Sequence, residues 1–307
     1  YGVTNGGTVT PAANDTTLAT PSKTGYEFKG WYTDLSDPDS ELTADGTPVA
    51  GTIYYAKWDL DGDHVEVTYK DGYSDGSKTV IFAKTGDTLA GTDVFTRAGY
   101  TLTKWQVEGE ETTYEPGANV SLEESVTLAA QWTLDAPTVA ASASEAVYGG
   151  AGITLTANTL VEGADYQWYK GNTEISEKTA ALTLTDVSDS GIYTVKITVN
   201  GEEATSAPTT VSITPKQLDA PVFSVTANSQ TKITVTPPTG SLPAGASEIQ
   251  YSINGTNWTT ETVFTGLTAG TEYTVRAKYV ADGSGNYMDS EESSATVTTA
   301  VSYTHLR

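Results

Sequence analysis

The sequence predicts a mainly β, multidomain protein: two small repeats, the first one truncated, followed by two β-sandwiches in a row. Three observations carry this. A block of residues recurs at one fixed offset in the first half; short segments alternate apolar and polar residues with the period of a half-buried strand; and Leu-Asp-Ala-Pro occurs twice, at Leu134 and Leu218. A chain of 307 residues, 37% of them apolar, has room for several domains that each hold a core.

The repeat comes first. "GYEFKGW" (Gly25 to Trp31) and "GYTLTKW" (Gly99 to Trp105) are offset by 74 residues, and "AKW" (Ala56 to Trp58) matches "AQW" (Ala130 to Trp132) at that same offset. A fixed period over the whole stretch is the mark of duplicated modules. What recurs is Gly, Tyr, Trp and apolar residues, so Trp31, Trp58, Trp105 and Trp132 read as structural positions rather than as chemistry used twice. Tyr26 and Phe28 fall on one face of an extended strand and Glu27 and Lys29 on the other, and Gly30 then breaks the pattern. A bulge there is expected to rotate Trp31 into the core.

"HVEVTYK" (His64 to Lys70) opens the second repeat as a strand, with Val65, Val67 and Tyr69 on one face. The first repeat has no counterpart, since 74 residues before His64 lies ahead of residue 1. It therefore reads as cut. The opening "YGVTNGGTVT" lacks the regions of a signal peptide, and the expectation is an internal piece of a longer protein.

Together "GYEFKGWYTD…YYAKW" and "VTYKDGYSDG…GYTLTKW…AAQW" resemble the Listeria–Bacteroides repeat, the internalin B-repeat type of module found on bacterial surface proteins. The resemblance implies a small β-grasp-like fold and a stalk or contact role outside the cell. It covers residues 1–59, the truncated repeat, and 60–133, the second.

The two Asp-Ala-Pro joints read as short linkers, because Pro cannot donate to a central ladder and holds its predecessor extended. Between them, "GITLTA", "YQWYK", "ALTLTDV" and "DSGIYTVKITV" alternate at turn-separated intervals, the pattern of a sandwich over residues 134–215. The set resembles an immunoglobulin-like domain, with Trp168 in the place of its core tryptophan and Tyr193, within Asp-x-Gly-x-Tyr, in the place of its tyrosine corner. Ala157 and Val195 stand where the inter-sheet cysteines of antibody-type domains would sit. This sandwich forgoes a bond typically worth about 2–5 kcal/mol.

Residues 216–300 hold "KITVTPP", "EIQYSINGTNW" and "FTGLTAGTEYTVRAKYV", in the last of which Tyr273, Val275, Ala277 and Tyr279 share a face. This module resembles a fibronectin type III domain, with Leu267-x-x-Gly-x-x-Tyr273 as its corner motif and Val235 near the place of the usual strand-B tryptophan. Trp258 and Tyr273 are assigned structural roles. The tail 301–307, "VSYTHLR", continues no strand pattern and reads as an artefactual end.

Charge narrows the partners. The 39 Asp and Glu against 16 Lys and Arg give a formal net charge of −23, which repels phosphate backbones and anionic headgroups. Nucleic acid is not an expected partner, and no apolar run is long enough to insert into a membrane. With no cysteine there is neither a disulfide framework nor a thiolate metal site.

Catalytic chemistry finds little to use. Of the two histidines, His64 begins a strand and His305 sits in the tail, so no triad is expected and the chain reads as no enzyme. "DLDGDH" sets Asp59, Asp61 and Asp63 at alternate positions, as oxygen ligands of Ca²⁺ often are, yet its glycine and position 12 do not fit an EF-hand loop. A solvated acidic linker is the preferred reading, with Ca²⁺ the sole cofactor weighed against it. "DLSDPDSE" (Asp34 to Glu41) reads as a loop. Tyr54, Tyr55 and Tyr73 raise glycan stacking, but neighbours in a strand face opposite ways, so one of Tyr54 and Tyr55 must point inward. A Lys–Asn or Lys–Asp isopeptide crosslink is left open.

The functional expectation is a monomeric, non-catalytic stalk or adhesion segment of a secreted or cell-wall-attached bacterial surface protein. It would meet a host or cell-surface protein or glycan through weak, repeated contacts. The alternatives are accessory modules of a large extracellular hydrolase, or a glycan-binding module.

Overall fold

A computed structural model describes residues 7–301 of the chain, in two units, Tyr1–Asp135 and Ala136–Arg307. His305 and nearly all of the expected tail lie outside the described residues. The fold is almost wholly β, as expected.

In the first repeat, β1 (Thr8–Val9), β2 (Tyr26–Tyr32) and β3 (Tyr54–Leu60) form a sheet of order β1-β3-β2. The β2–β3 register slips between Phe28 and Gly30, and beyond the bulge Trp31 is only 5% exposed. Trp31 joins Val9, Tyr54 and Ala56 in a small buried cluster, against which Phe28 and Trp58 pack.

The second repeat comprises β4 (His64–Lys70), β5 (Ser77–Ala83), β6 (Tyr100–Val107), β7 (Thr113–Tyr114) and β8 (Val126–Leu134), in the order β5-β4-β8-β6-β7. Its first and last strands, β4 and β8, are neighbours and run parallel. Val65, Val67 and Tyr69 point into one core with Leu102, Trp105 and Leu128. The bulge recurs between Leu102 and Lys104. Lys104 occupies the place of Gly30, so the bulge belongs to the position in the repeat and does not depend on glycine. Gly72 does depend on being glycine: its φ is +74°, and a Cβ there would lie 2.5 Å from the Ala130 carbonyl oxygen.

The second unit opens with a sandwich. Its first sheet joins β9 (Thr138–Ala141), β11 (Ile153–Asn158) and β14 (Ala181–Leu184). The facing sheet joins β10 (Glu145–Val147), β12 (Asp165–Lys170), β13 (Thr173–Glu174), β15 (Gly191–Val199), β16 (Glu202–Thr205) and β17 (Thr209–Thr214). β10 runs parallel to β17. Asn200-Gly201 closes the β15–β16 hairpin with both residues at positive φ, 51° and 87°, the geometry of a type I′ turn. Trp168 is fully buried between the sheets and lies opposite Val195. Ala157 and Val195 fill the core where a disulfide would have crossed it.

β18 (Lys216–Gln217) leaves this sandwich, and a second one follows. One of its sheets holds β19 (Ser224–Ala227), β20 (Lys232–Thr236) and β22 (Val263–Thr265); the other holds β21 (Ala246–Ser252), β23 (Glu272–Ala281) and β25 (Ser293–Thr298). The short β24 (Tyr287–Met288) pairs in parallel with β18. Ile233, Val235, Tyr251, Val275 and Ala277 form the core. Tyr273, on the same face of β23 as Val275 and Ala277, packs against it.

Candidate functional site

The acidic joint between the repeats is a turn, and it does not gather its carboxylates. Asp59 still lies in β3 and faces solvent, paired across the ladder with Glu27. Asp61 Oδ1 accepts from the Asp63 backbone N–H at 3.0 Å and sits 2.6 Å from His64 Nδ1. Hydrogen bonding to His64 is the main reason that the Asp61 carboxyl is held below its ordinary value. Among the described residues, no group of three or more His, Asp or Glu side chains is placed to hold a metal ion. The alternate spacing fails as a cage because Asp59 belongs to a strand while Asp61 and Asp63 belong to the turn after it.

That turn ties the repeats together. The Asp61 N–H donates to Gly25 O at 3.1 Å, and the Asp135 N–H donates to Gly99 O at 2.9 Å. The offset between these bonds is again 74 residues, a symmetry of backbone that carries no side-chain chemistry. The Asp34–Glu41 loop closes on itself: Ser40 Oγ donates to the Asp34 carbonyl oxygen at 2.6 Å and Asp34 Oδ1 accepts from Ser36 Oγ at 2.7 Å.

Tyr54 is 4% exposed and Tyr55 37% exposed, the inward and outward pair the strand demands. Tyr73 is exposed, but its ring is occupied, with Trp132 edge-on at 5.8 Å and the Arg97 guanidinium 5.3 Å from its centroid. The three tyrosines thus form no shared stacking platform.

Most of the aromatic residues singled out as structural fill cores and anchor loops. Trp31, Trp105, Trp132 and Trp168 donate their indole N–H groups to the carbonyls of Ala19, Ala90, Asp71 and Thr179. Trp58 is half-buried and packs edge-on against Phe28 at 5.4 Å. The Tyr193 hydroxyl donates to Asp189 O at 2.5 Å, and burial, with the nearby Asp189 charge, pushes its pKa up to about 12. Tyr273 accepts from the Thr268 N–H at 2.9 Å. Trp258 stands apart. It is half-buried outside the core, with Lys278 Nζ 5.1 Å from its ring centroid, while Tyr251 fills the centre of that sandwich.

Sequence reasoning missed the joint between the two sandwiches. Lys216–Gln217 reads as linker, yet its Lys216 N–H donates to Asn286 O at 2.9 Å, and the Leu218 N–H donates to Met288 O at 3.2 Å. The Asn286 side chain reaches back to the first sandwich: its Oδ1 accepts from the Val187 N–H and its Nδ2 donates to Asp186. Tyr148 and Tyr287 meet edge-on at 5.2 Å. Gly245 is needed here, since a Cβ on it would lie 2.3 Å from the Tyr287 ring. Beside the joint is a groove of 470 Å³, lined among others by Leu218, Pro221, Pro243 and Tyr279. The expected isopeptide chemistry has no counterpart, because no lysine is buried among the described residues.

The Listeria-Bacteroides repeat domain matches residues 2–57 and 66–131. Two relatives from Evansella cellulosilytica are similar in part: a "Putative membrane protein", 29% identical over 62% of this chain and 28% of its own length, and a "Putative Gly-rich membrane protein", 30% identical over 37% of this chain and 15% of its own. The chain thus spans less than a third of either. Among solved structures, a two-domain fibronectin type III segment of chicken tenascin aligns with 54% of this chain and all of its own at 17% identity and a TM-score of 0.28. Domains of titin align with 80% of this chain and 91% of theirs at 15% identity and a TM-score of 0.23. Scores this low carry no argument. No helix of the described residues is long and apolar enough to cross a membrane.

Proposed function

We propose that these two Listeria-Bacteroides repeats, with the immunoglobulin-like and fibronectin type III-like modules behind them, are a non-catalytic spacer and contact segment of a bacterial surface protein. One observation carries the reading. In the second repeat the first and last strands run parallel, and in the first sandwich β10 runs parallel to β17. A chain that enters such a module at one end leaves it at the other, so each module adds reach. The residues repeated between modules are core-fillers and backbone anchors, which suits a role in which geometry is the product.

The relatives' printed names place them at a membrane, and the extracellular side of the surface or wall is the setting proposed for this chain. Its partner in this reading is a protein or glycan of a host or neighbouring cell, met through weak repeated contacts. Small-angle scattering of the 307-residue chain tests the spacer role. A radius of gyration well above the roughly 19 Å of a compact chain of this length is the expected result. A value near it would overturn the proposal.

A further inference from the structure

The two repeats fill the same sheet edge with different strands. In the second, Val126–Ala129 of β8 pair in parallel with Val67–Lys70 of β4. Seventy-four residues earlier stand Thr52, Ile53, Tyr54 and Tyr55. There the described partner is β1, antiparallel and two residues long, with Thr8 opposite Tyr55 and Val9 opposite Tyr54. By the same offset β1 corresponds to Phe82 and Ala83, the end of β5. The position that β4 occupies in one repeat is skipped in the other, and a β5-type strand stands on β3 instead.

The difference shows in the cores. β4 contributes Val65, Val67 and Tyr69, all under 5% exposed, to the larger core of the second repeat. The core of the first rests on Val9, Trp31, Tyr54 and Ala56. Trp132 donates to the carbonyl of Asp71, the residue that follows β4, whereas its counterpart Trp58 is left half-buried. Near this edge Val49, Ile53 and Tyr55 are 62%, 50% and 37% exposed.

We propose that this edge of β3 is a strand-acceptor site. Its ligand is an extended segment of the β4 kind, with apolar residues at three alternating positions, which adds to β3 in parallel and displaces β1. Main-chain hydrogen bonds supply the attraction and the alternating side chains supply the selectivity, as in other strand additions. A two-residue antiparallel strand is a weak competitor, and the incoming apolar residues cover the face on which Trp58 and Phe28 are half-exposed. This inference goes beyond the spacer reading and does not depend on it.

The test is titration of the 307-residue chain with the synthetic peptide HVEVTYKDG, the sequence of residues 64–72, while following the indole N–H resonances of its tryptophans. Saturable shifts at Trp58 and Trp31, with Trp132 unmoved, are expected. A peptide with serine in place of the second valine and the tyrosine should bind at least about tenfold more weakly, having lost two buried side chains. Thr8→Pro, which weakens β1 without touching the core, should tighten binding. Shifts absent at millimolar peptide, or equal with the serine peptide, would overturn the proposal. So would a chain that pairs with a second copy of itself and is not released by the peptide.

Discussion

Asn286 Nδ2 donates to Asp186 Oδ1 at 2.9 Å across 100 residues of chain. The same side chain accepts from the Val187 N–H at 3.1 Å, so one amide holds two groups of the neighbouring sandwich. With the β18–β24 pair and the Tyr148–Tyr287 contact, it makes the joint a packed interface. Asn286→Ala should loosen that joint while leaving each core intact. Because the chain has no cysteine, spin labels at Leu160→Cys and Glu261→Cys report on it cleanly. The parent should give a narrow distance distribution and the alanine variant a broader one; equal widths would mean that the amide does not hold the joint.

Tyr193→Phe keeps the ring in its core and removes one bond, to Asp189 O. The cost should be about 1 kcal/mol, read from urea midpoints at constant m. The phenol's pKa is raised in the fold, to about 12, so the neutral form is favoured there. Its contribution is complete below the unfolded value, about 10, and is lost as pH rises from there through 12. Tyr193→Phe should remove that alkaline component.

Tyr251 is the opposite case. Its hydroxyl is buried and reaches no partner among the described residues, and an unpaired buried polar group costs about 1–3 kcal/mol. Tyr251→Phe should therefore leave the second sandwich as stable as the parent or more so. A clear loss of stability would show that the hydroxyl has a partner in solution.

Asp71 is 3% exposed and holds the turn after β4, accepting from the Tyr73 N–H at 3.2 Å, the Ser74 N–H at 2.9 Å and the Ser74 hydroxyl. Burial raises its pKa, and these donors outweigh burial and leave the carboxyl below its ordinary value. A depressed folded value means stability present above the unfolded pKa of about 3.9 and lost as pH falls through the folded one. Asp71→Asn should destabilise the second repeat at neutral pH and flatten its acid unfolding profile, followed through the fluorescence of Trp105 and Trp132.

Much of this architecture is written locally. The β4 strand begins and ends where its alternation does, the bulge stands before Trp31, and Trp168 and Tyr193 occupy the places their motifs implied, because each follows from patterning within a dozen residues. The sandwich joint was hidden. Lys216–Gln217 and Tyr287–Met288 are too short to show a period, and they meet only after the second sandwich has folded. Trp258 misleads for a related reason: size suggests a core, but Tyr251 already fills it and a basic neighbour accepts the indole at the surface. The acidic trio deceives by spacing, since alternate carboxylates in sequence are split between a strand and a turn.

The parallel β4–β8 pair also decides how the second repeat meets force. Tension applied to its two ends drags β4 and β8 past each other lengthwise, so the hydrogen bonds between Val67–Lys70 and Val126–Ala129 are loaded together in shear. A hairpin with both ends on one side would unzip bond by bond. A segment built from such units yields late under load and then gives way abruptly, the behaviour of a tether that must outlast flow.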